Sequence, residues 1–162
     1  MTSQPFKNLS LWPVTDGDRE FLYEVYASTR KDEIASFGWD AAPGETFLRM
    51  QFDIRERSYV MQFPHAEQSI IRFDDSAAGS IFVNRGDSFL TLIDVAVLPE
   101  FREKGIATRL VNDLKDEATA TNRSVILHVE RDNTTALRLY ERCGFSVSDK
   151  TELYYEMRWP RE

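Results

Sequence analysis

The spacing of apolar and polar positions predicts seven strands and four helices, in the order β-α-α-β-β-β-α-β-α-β-β. Apolar residues alternate or run together in short segments, as in strands, and recur every three or four residues in longer ones, as in helices. The strands are predicted at residues 9–14, 68–73, 78–84, 89–98, 123–130, 145–147 and 153–159. The helices are predicted at residues 16–30, 45–63, 105–118 and 134–142. This order indicates an α/β (α+β) fold, with one mixed, mostly antiparallel sheet of about seven strands and helices on both faces.

Capping and turn residues mark the ends of these elements. Asp16 is the predicted N-cap of the first helix, Asp132 that of the fourth, and Gly144 ends the fourth helix. Residues 34–44 contain Phe37 and Trp39 among glycine and proline, which favours a loop that forms a lid or pocket wall. For the second helix, the predicted apolar side consists of Phe47, Met50, Ile54 and Met61.

Residues 91–110 form the stretch on which the functional prediction rests. A strand of branched apolar residues ends at Pro99, and a charged turn then leads through Gly105 into an amphipathic helix. The turn has the pattern R-x-x-G-x-A, from Arg102 to Ala107. Because the N–H groups of a tight turn and a helix N-terminus bind anions, we expect a phosphate-bearing ligand here.

A second motif, N-x-x-A-x-x-L-Y-x-x-x-G-F, runs from Asn133 to Phe145. Asn133 and Tyr140 are seven residues apart and therefore lie on one helical face, two turns from each other. We interpret the amide as a contact to a ligand's backbone, with the phenol deeper in the site.

Composition narrows the class of protein. The chain has 162 residues, which suits one domain over 1–162, and a net charge of −7, which disfavours a nucleic-acid binder. The single Cys143 excludes an internal disulfide, and His65 and His128 match no metal-ligand spacing. No signal peptide or apolar run of membrane-spanning length is visible, so we expect a cytoplasmic protein without a metal, and no membrane partner.

Taken together, the two motifs resemble those of the GNAT superfamily of acetyl-CoA-dependent N-acetyltransferases. The R-x-x-G-x-A turn is weak evidence by itself. Here it follows a D-x-x-V-x-P strand, which starts at Asp94, and precedes the second motif at a matching distance. The motifs cover residues 89–145, and the order of elements matches over the whole chain.

The resemblance implies a binding site for acetyl-CoA. In similar enzymes the strand that carries Val95 and Val97 separates from the next strand, so that its free backbone groups pair with the pantetheine arm. The Val95 N–H then faces the thioester carbonyl. The implied cofactor-binding residues are Val95, Ala96, Val97, Arg102, Glu103, Lys104, Gly105, Ile106, Ala107, Thr108, Asn133, Ala136 and Tyr140.

The implied reaction is direct attack of a neutral amine on the thioester, with Tyr140 as the proton donor to the leaving thiolate. Many relatives carry a glutamate before the position of Asp94, where this chain has Ile93 and Thr91. Asp94 is therefore predicted to orient the substrate or relay a proton. The acceptor, a small-molecule amine or a peptide N-terminus, is expected to contact Tyr26, Arg30, Phe37 and Trp39.

The same residues are also compatible with other roles and with another class of protein. Tyr140 is also compatible with a core aromatic residue, Asp94 with a capping residue, and His128 with a sheet residue. Because the strand glutamate is missing, the protein is also compatible with a non-catalytic acyl-CoA sensor or scaffold. The aromatic residues of 153–159 are compatible with the interface of a homodimer.

Overall fold

A computed structural model describes residues 8–36, 38 and 40–160, and it contains the predicted elements in the predicted order. The strands β1 to β7 are Leu9–Pro13, Glu67–Phe73, Ser76–Arg85, Phe89–Val97, Ser124–Glu130, Ser146–Lys150 and Tyr154–Trp159. The helices α1 to α4 are Arg19–Ser36, Ala41–Gln62, Ile106–Ala120 and Thr134–Arg142. Two short 3₁₀ turns, Asp16–Asp18 and Pro99–Phe101, precede α1 and follow β4. No helix of the described chain is both long and apolar enough to cross a membrane.

The strands form one sheet in the order β1-β2-β3-β4-β5-β7-β6. Only the β4–β5 pair of this sheet is parallel, as expected for a mixed and mostly antiparallel sheet. The C-terminal strand β7 pairs with β5 on one edge and with β6 on the other. Both edges of the β7 backbone are therefore hydrogen-bonded within the sheet. An interface formed by residues 153–159, as predicted, would use only their side chains.

Helices cover both faces of the sheet, as predicted. Consecutive residues of a strand point to opposite faces, and Ile70 and Ile71 of β2 belong to different core clusters. Ile71 lies in the larger cluster with α3 and α4, whereas Ile70 packs with α1 and α2. The amphipathic helix predicted after Gly105 is confirmed as α3, whose apolar residues at steps of four are all buried: Ile106, Leu110, Leu114 and Ala118.

Helix α2 begins earlier than predicted. It starts at Ala41, so Pro43 and Gly44 lie inside it rather than in a loop. Pro43 is tolerated because it occupies the first turn, where its missing N–H has no helical partner to lose. A Cβ on Gly44 would lie 3.0 Å from Cγ2 of Ile34, so glycine allows α1 and α2 to approach closely.

The predicted apolar side of α2 is wrong. At least half of the surface is exposed in each of Met50, Ile54 and Met61. Leu48 and Phe52 are instead buried against α1. Apolar residues occur on more than one side of this helix, and the periodicity alone did not identify the side that faces the sheet.

Two predicted caps are displaced by one residue. Thr15, not Asp16, is the residue before the first turn, and its N–H donates to Oδ2 of Asp18 at 2.9 Å. Asn133, not Asp132, caps α4, where its Oδ1 accepts the Ala136 N–H at 3.1 Å. The end of α4 is as predicted, since Gly144 follows the helix with a φ of 93°.

Candidate active site

The sheet opens between β4 and β5. The two strands pair only from Phe89↔Ser124 to Leu92↔Leu127. Beyond that point β5 continues along β7, and β4 continues along β3 as far as Val97. The edge of β4 from residue 93 to residue 97 therefore has no strand partner on the β5 side within the described chain, as the resemblance implied.

The pairing with β3 determines which backbone groups of β4 face this gap. The Leu98 N–H donates to the Ala78 carbonyl at 2.8 Å. Because hydrogen-bonded pairs alternate in an antiparallel ladder, Ala96 and Asp94 also bond to β3. The N–H and C=O groups of Val95 and Val97 consequently point into the gap.

A β-bulge at Ile93 changes the face on which the following residues lie. Leu92 pairs with Val83 and Asp94 with the adjacent Phe82, so Ile93 is the extra residue. Leu92 belongs to the core beneath α3, but Asp94 lies on the opposite face, beside α1 and α2. The bulge thus presents the Asp94 carboxylate to the space between those helices and the sheet.

The charged turn supplies a row of backbone donors. Glu103 and Gly105 have left-handed φ values of 62° and 78°, and the first helical N–H bond of α3 runs from Arg109 to the Gly105 carbonyl at 3.0 Å. In the described structure, none of the six N–H groups from Glu103 to Thr108 has a hydrogen-bond partner. Such an array of donors at a helix N-terminus suits a phosphate.

Arg102 differs from the residues that follow it in the turn. Its N–H already donates to the Pro99 carbonyl at 3.2 Å, and its Nε donates to the Val97 carbonyl at 2.9 Å. The available backbone donors thus begin at Glu103, and Arg102 instead ties the turn to the end of β4.

Tyr140 and Asn133 come together at one cavity, as their spacing predicted. Tyr140 is buried, and its ring centroid lies 5.9 Å from that of Phe145. Burial, with a smaller contribution from the charge of Asp94, raises the pKa of the Tyr140 phenol well above its usual value. The Asn133 oxygen caps α4, so its NH₂ group is the part left for a ligand.

This cavity, which we call the main cavity, has a volume of about 740 Å³ and lies where β4 and β5 separate. Both Tyr26 and Arg30 of α1 line it, with the Arg30 Nη1 donating to the Tyr26 hydroxyl at 2.9 Å. Phe37 and Trp39 lie outside the described residues. The other predicted residues that line it are Asp94, Val95, Ala96, Asn133, Ala136 and Tyr140.

Helix α2 contributes residues that the sequence did not single out. The Arg55 guanidinium lies 2.7 Å from Oδ2 of Asp94, and it stands over the rings of Tyr26 and Tyr59, at 5.1 Å and 5.0 Å from their centroids. Burial disfavours its charge, but the negative charge of Asp94 and smaller contributions from Tyr59 outweigh this, so the pKa of Arg55 is raised. In the sequence, the i, i+4 spacing of Arg55 and Tyr59 was the signal that could have identified this contact.

His128 and Cys143 differ in their surroundings. His128 is exposed on β5 and lines the main cavity, with Nε2 3.6 Å from Oε1 of Glu156. Cys143 is buried, its carbonyl accepts from Lys115 Nζ at 2.6 Å, and burial raises the pKa of its thiol. Among the residues that the structure describes, no group of three or more His, Cys, Asp or Glu side chains is placed to hold a metal ion.

Comparison with known proteins agrees with this geometry. Residues 21–145 match the Acetyltransferase (GNAT) family. The spermidine N(1)-acetyltransferase of Vibrio cholerae is 27% identical over 146 residues, 85% of this chain and 78% of that protein. The N-alpha-acetyltransferase 30 of Schizosaccharomyces pombe is 33% identical over 108 residues, 61% of this chain and 69% of that protein.

A solved structure shows the same fold. The PaiA N-acetyltransferase of Thermoplasma acidophilum, in complex with coenzyme A, superposes with a TM-score of 0.69 at 18% identity, covering 93% of this chain and 98% of that one. With the family match over most of the chain, these findings show that this protein belongs to the GNAT family of acetyltransferases.

Proposed function

We propose that this protein transfers an acetyl group from acetyl-CoA directly to a primary amine, without an acyl-enzyme. The observation that carries the proposal is the gap between β4 and β5, where the backbone of β4 has no strand partner in the described chain and Tyr140 lines the same cavity. One relative is named as a spermidine acetyltransferase and another as an N-alpha-acetyltransferase, which supports an acceptor that is a small-molecule amine or a peptide N-terminus.

The residues present fit the donor substrate along its length. Unpartnered N–H groups from Glu103 to Thr108 match a pyrophosphate, and the free edge of β4 matches the amides of a pantetheine arm. The Val95 N–H points into the gap, where it would donate to the thioester oxygen as negative charge develops there.

Tyr140 supplies the proton for the departing thiolate in this proposal. Because burial raises the pKa of the phenol, it keeps its proton at neutral and mildly alkaline pH. As the C–N bond forms and the C–S bond breaks, Tyr140 gives its proton to sulfur. A proton lost by the acetylated nitrogen then restores the phenol, so the residue returns to its starting state.

The wall of the main cavity contains charges of both signs. Arg30 and Arg55 line it together with Asp94, Glu130 and Asp132. The negative net charge of the whole protein is therefore a poor guide to the acceptor, since the cavity itself is not uniformly acidic.

Two measurements test the proposal. Calorimetry with acetyl-CoA measures donor binding, and the release of free CoA measures turnover with a panel of polyamines, amino acids, aminoglycosides and short peptides. We expect donor binding and turnover with at least one class of amine. Binding without turnover of any acceptor would instead support a sensor or scaffold, and the absence of both would reject the proposal.

A further inference from the structure

The proposed acetyl transfer also needs a group that accepts a proton from the acceptor amine. An alkylammonium acceptor must lose a proton before its nitrogen can attack. On the strand β4, Ile93 has no ionisable group, and the neighbouring Asp94 is held by Arg55 at 2.7 Å. This ion pair already occupies Oδ2 of Asp94.

Glu56, the residue after Arg55 on α2, has an oxygen without a partner. Its Oε1 is buried and has no hydrogen-bond partner in the described structure. The nearest cationic group is Nη1 of Arg55 at 3.8 Å, which is too far for a hydrogen bond. A buried carboxylate oxygen that makes no hydrogen bond is rare and needs a reason, such as a bridging water or a role in proton transfer.

A small cavity of about 30 Å³ lies beside Glu56, between α1, α2 and the sheet. This volume exceeds the roughly 10–15 Å³ that one water needs, and a stable site also needs two to four polar partners. Glu56, Gln68 and the buried Ser80 provide such partners in its wall. Other residues of its wall also line the main cavity, so the two spaces adjoin: Tyr26, Thr29, Arg55, Asp94 and Ala96.

We propose that Glu56 accepts the proton that the acceptor amine gives up, through a water held in the small cavity. This inference rests on the proposed acetyl transfer. The ammonium N–H proton passes to the water, the water gives a proton to the Glu56 carboxylate, and the freed nitrogen lone pair forms the C–N bond. Glu56 later releases its proton to solvent, which balances the one proton that each turnover produces.

The charges around Glu56 agree with this role. Burial raises the pKa of Glu56, and Asp94 and Asp53 add to the increase, while the positive charges of Arg55 and Arg19 act in the opposite direction. The net effect moves the pKa of Glu56 upward, in the direction of neutral pH, which favours a base that accepts protons there.

The test compares the pH dependence of kcat in the wild type, Glu56→Gln and Glu56→Asp, at saturating acetyl-CoA and amine. At saturation kcat reports groups in the bound complex rather than the ionisation of free amine. We expect the wild-type kcat to fall on the acidic side as Glu56 is protonated. Glu56→Gln should lower kcat about 10²- to 10⁴-fold and lose this acidic limb, whereas Glu56→Asp should keep the limb at a reduced rate.

Glu45→Gln is the matched control. Glu45 is a glutamate of the same helix, exposed and paired with Arg49 at 3.2 Å, and it is not among the described residues that line either cavity. Glu45→Gln should keep the wild-type kcat within about threefold, and neither Glu45→Gln nor Glu56→Gln should change the KM for acetyl-CoA.

The possible failures are distinguishable. An active wild type whose acidic limb persists unchanged in Glu56→Gln overturns this inference and leaves the proposed function intact. If Glu56→Gln lowers kcat equally at every pH and the acidic limb of the profile remains, Glu56 only positions Arg55. This result also overturns the inference. A wild type that acetylates no amine overturns the proposed function and this inference together.

Discussion

At the scale of single residues, Tyr140 has the most specific expected role. We expect Tyr140→Phe to lower kcat about 10²- to 10³-fold, because the thiolate would leave without a proton donor, while the KM for acetyl-CoA stays within about twofold. Steady-state kinetics measure both constants. Tyr155→Phe, on β7 and half-buried, is the control and should behave as the wild type. An active Tyr140→Phe enzyme would show that the phenol is a core residue.

The pair formed by Arg55 and Asp94 is expected to contribute to stability as well as to the site. The two side chains are 24% and 28% exposed, so breaking the pair should cost about 1–3 kcal/mol, less than the roughly 3–5 kcal/mol of a fully buried pair. A double-mutant cycle of Arg55→Met and Asp94→Asn, followed by urea unfolding, measures their coupling energy.

The pair of Arg109 and Asp113 on α3 is the control for this cycle. It lies at 3.0 Å with both side chains about half exposed, and its coupling energy should be roughly 0.3–0.5 kcal/mol. Equal coupling energies in the two cycles would mean that partial burial does not strengthen the Arg55 pair.

At the scale of elements, the junction of the charged turn with α3 depends on Gly105. We expect Gly105→Ala to cost about 1–2 kcal/mol, since its φ of 78° is unfavourable for an L-residue, and also to weaken acetyl-CoA binding by displacing the turn amides. Gly38→Ala is the matched control, because Gly38 also has a positive φ, 69°, and its Cβ would meet no atom of the described residues within 4 Å.

Unfolding measurements and calorimetry separate the two effects. Both variants should lose similar stability, but only Gly105→Ala should lose affinity for acetyl-CoA. A Gly105→Ala protein that binds acetyl-CoA as tightly as the wild type would contradict the assignment of this turn to the pyrophosphate.

Gly79 keeps β3 close to the ligand-binding part of β4. A Cβ on Gly79 would lie 2.1 Å from the Ala96 carbonyl oxygen and 2.9 Å from the Val97 Cα, so the strand must shift. We expect Gly79→Ala to lower stability by about 1–3 kcal/mol and to raise the KM for acetyl-CoA several-fold. Gly17→Ala, whose Cβ would have its nearest contact at 3.9 Å, should change neither quantity. An unchanged KM in Gly79→Ala would show that β4 accommodates the methyl group.

At the scale of the whole molecule, the order of elements was predictable because each element carries its own periodicity. The motif around Gly105 was predictable for the same reason, since its residues are neighbours in the chain. Contacts between elements were not. The bulge at Ile93 places Asp94 on the opposite face of the sheet. The ion pair of Asp94 with Arg55 joins residues that are 39 positions apart in the chain, and no local pattern specifies it. Gly79 is required by its neighbours on another strand, so its role is invisible in the sequence.

The opening between β4 and β5 also divides the sheet, and hydrogen exchange can test how a ligand joins its two parts. Because hydrogen bonds to β3 alternate along β4, the amides of Asp94 and Ala96 should exchange slowly with or without ligand. The amides of Val95 and Val97 face the gap and should exchange rapidly in the free protein. With CoA at about 100 times its Kd, an added stabilisation of about 2.7 kcal/mol should slow them roughly 100-fold.

Leu90 is the internal control for this experiment, because it pairs with both β3 and β5 and should exchange slowly throughout. Val95 and Val97 amides that are as protected as Ala96 before CoA is added would contradict the open edge of β4. If they stay unprotected while calorimetry shows CoA bound, the ligand does not extend the sheet as an additional strand. Protection of these two amides on binding would place the pantetheine arm along β4, between the two parts of the sheet.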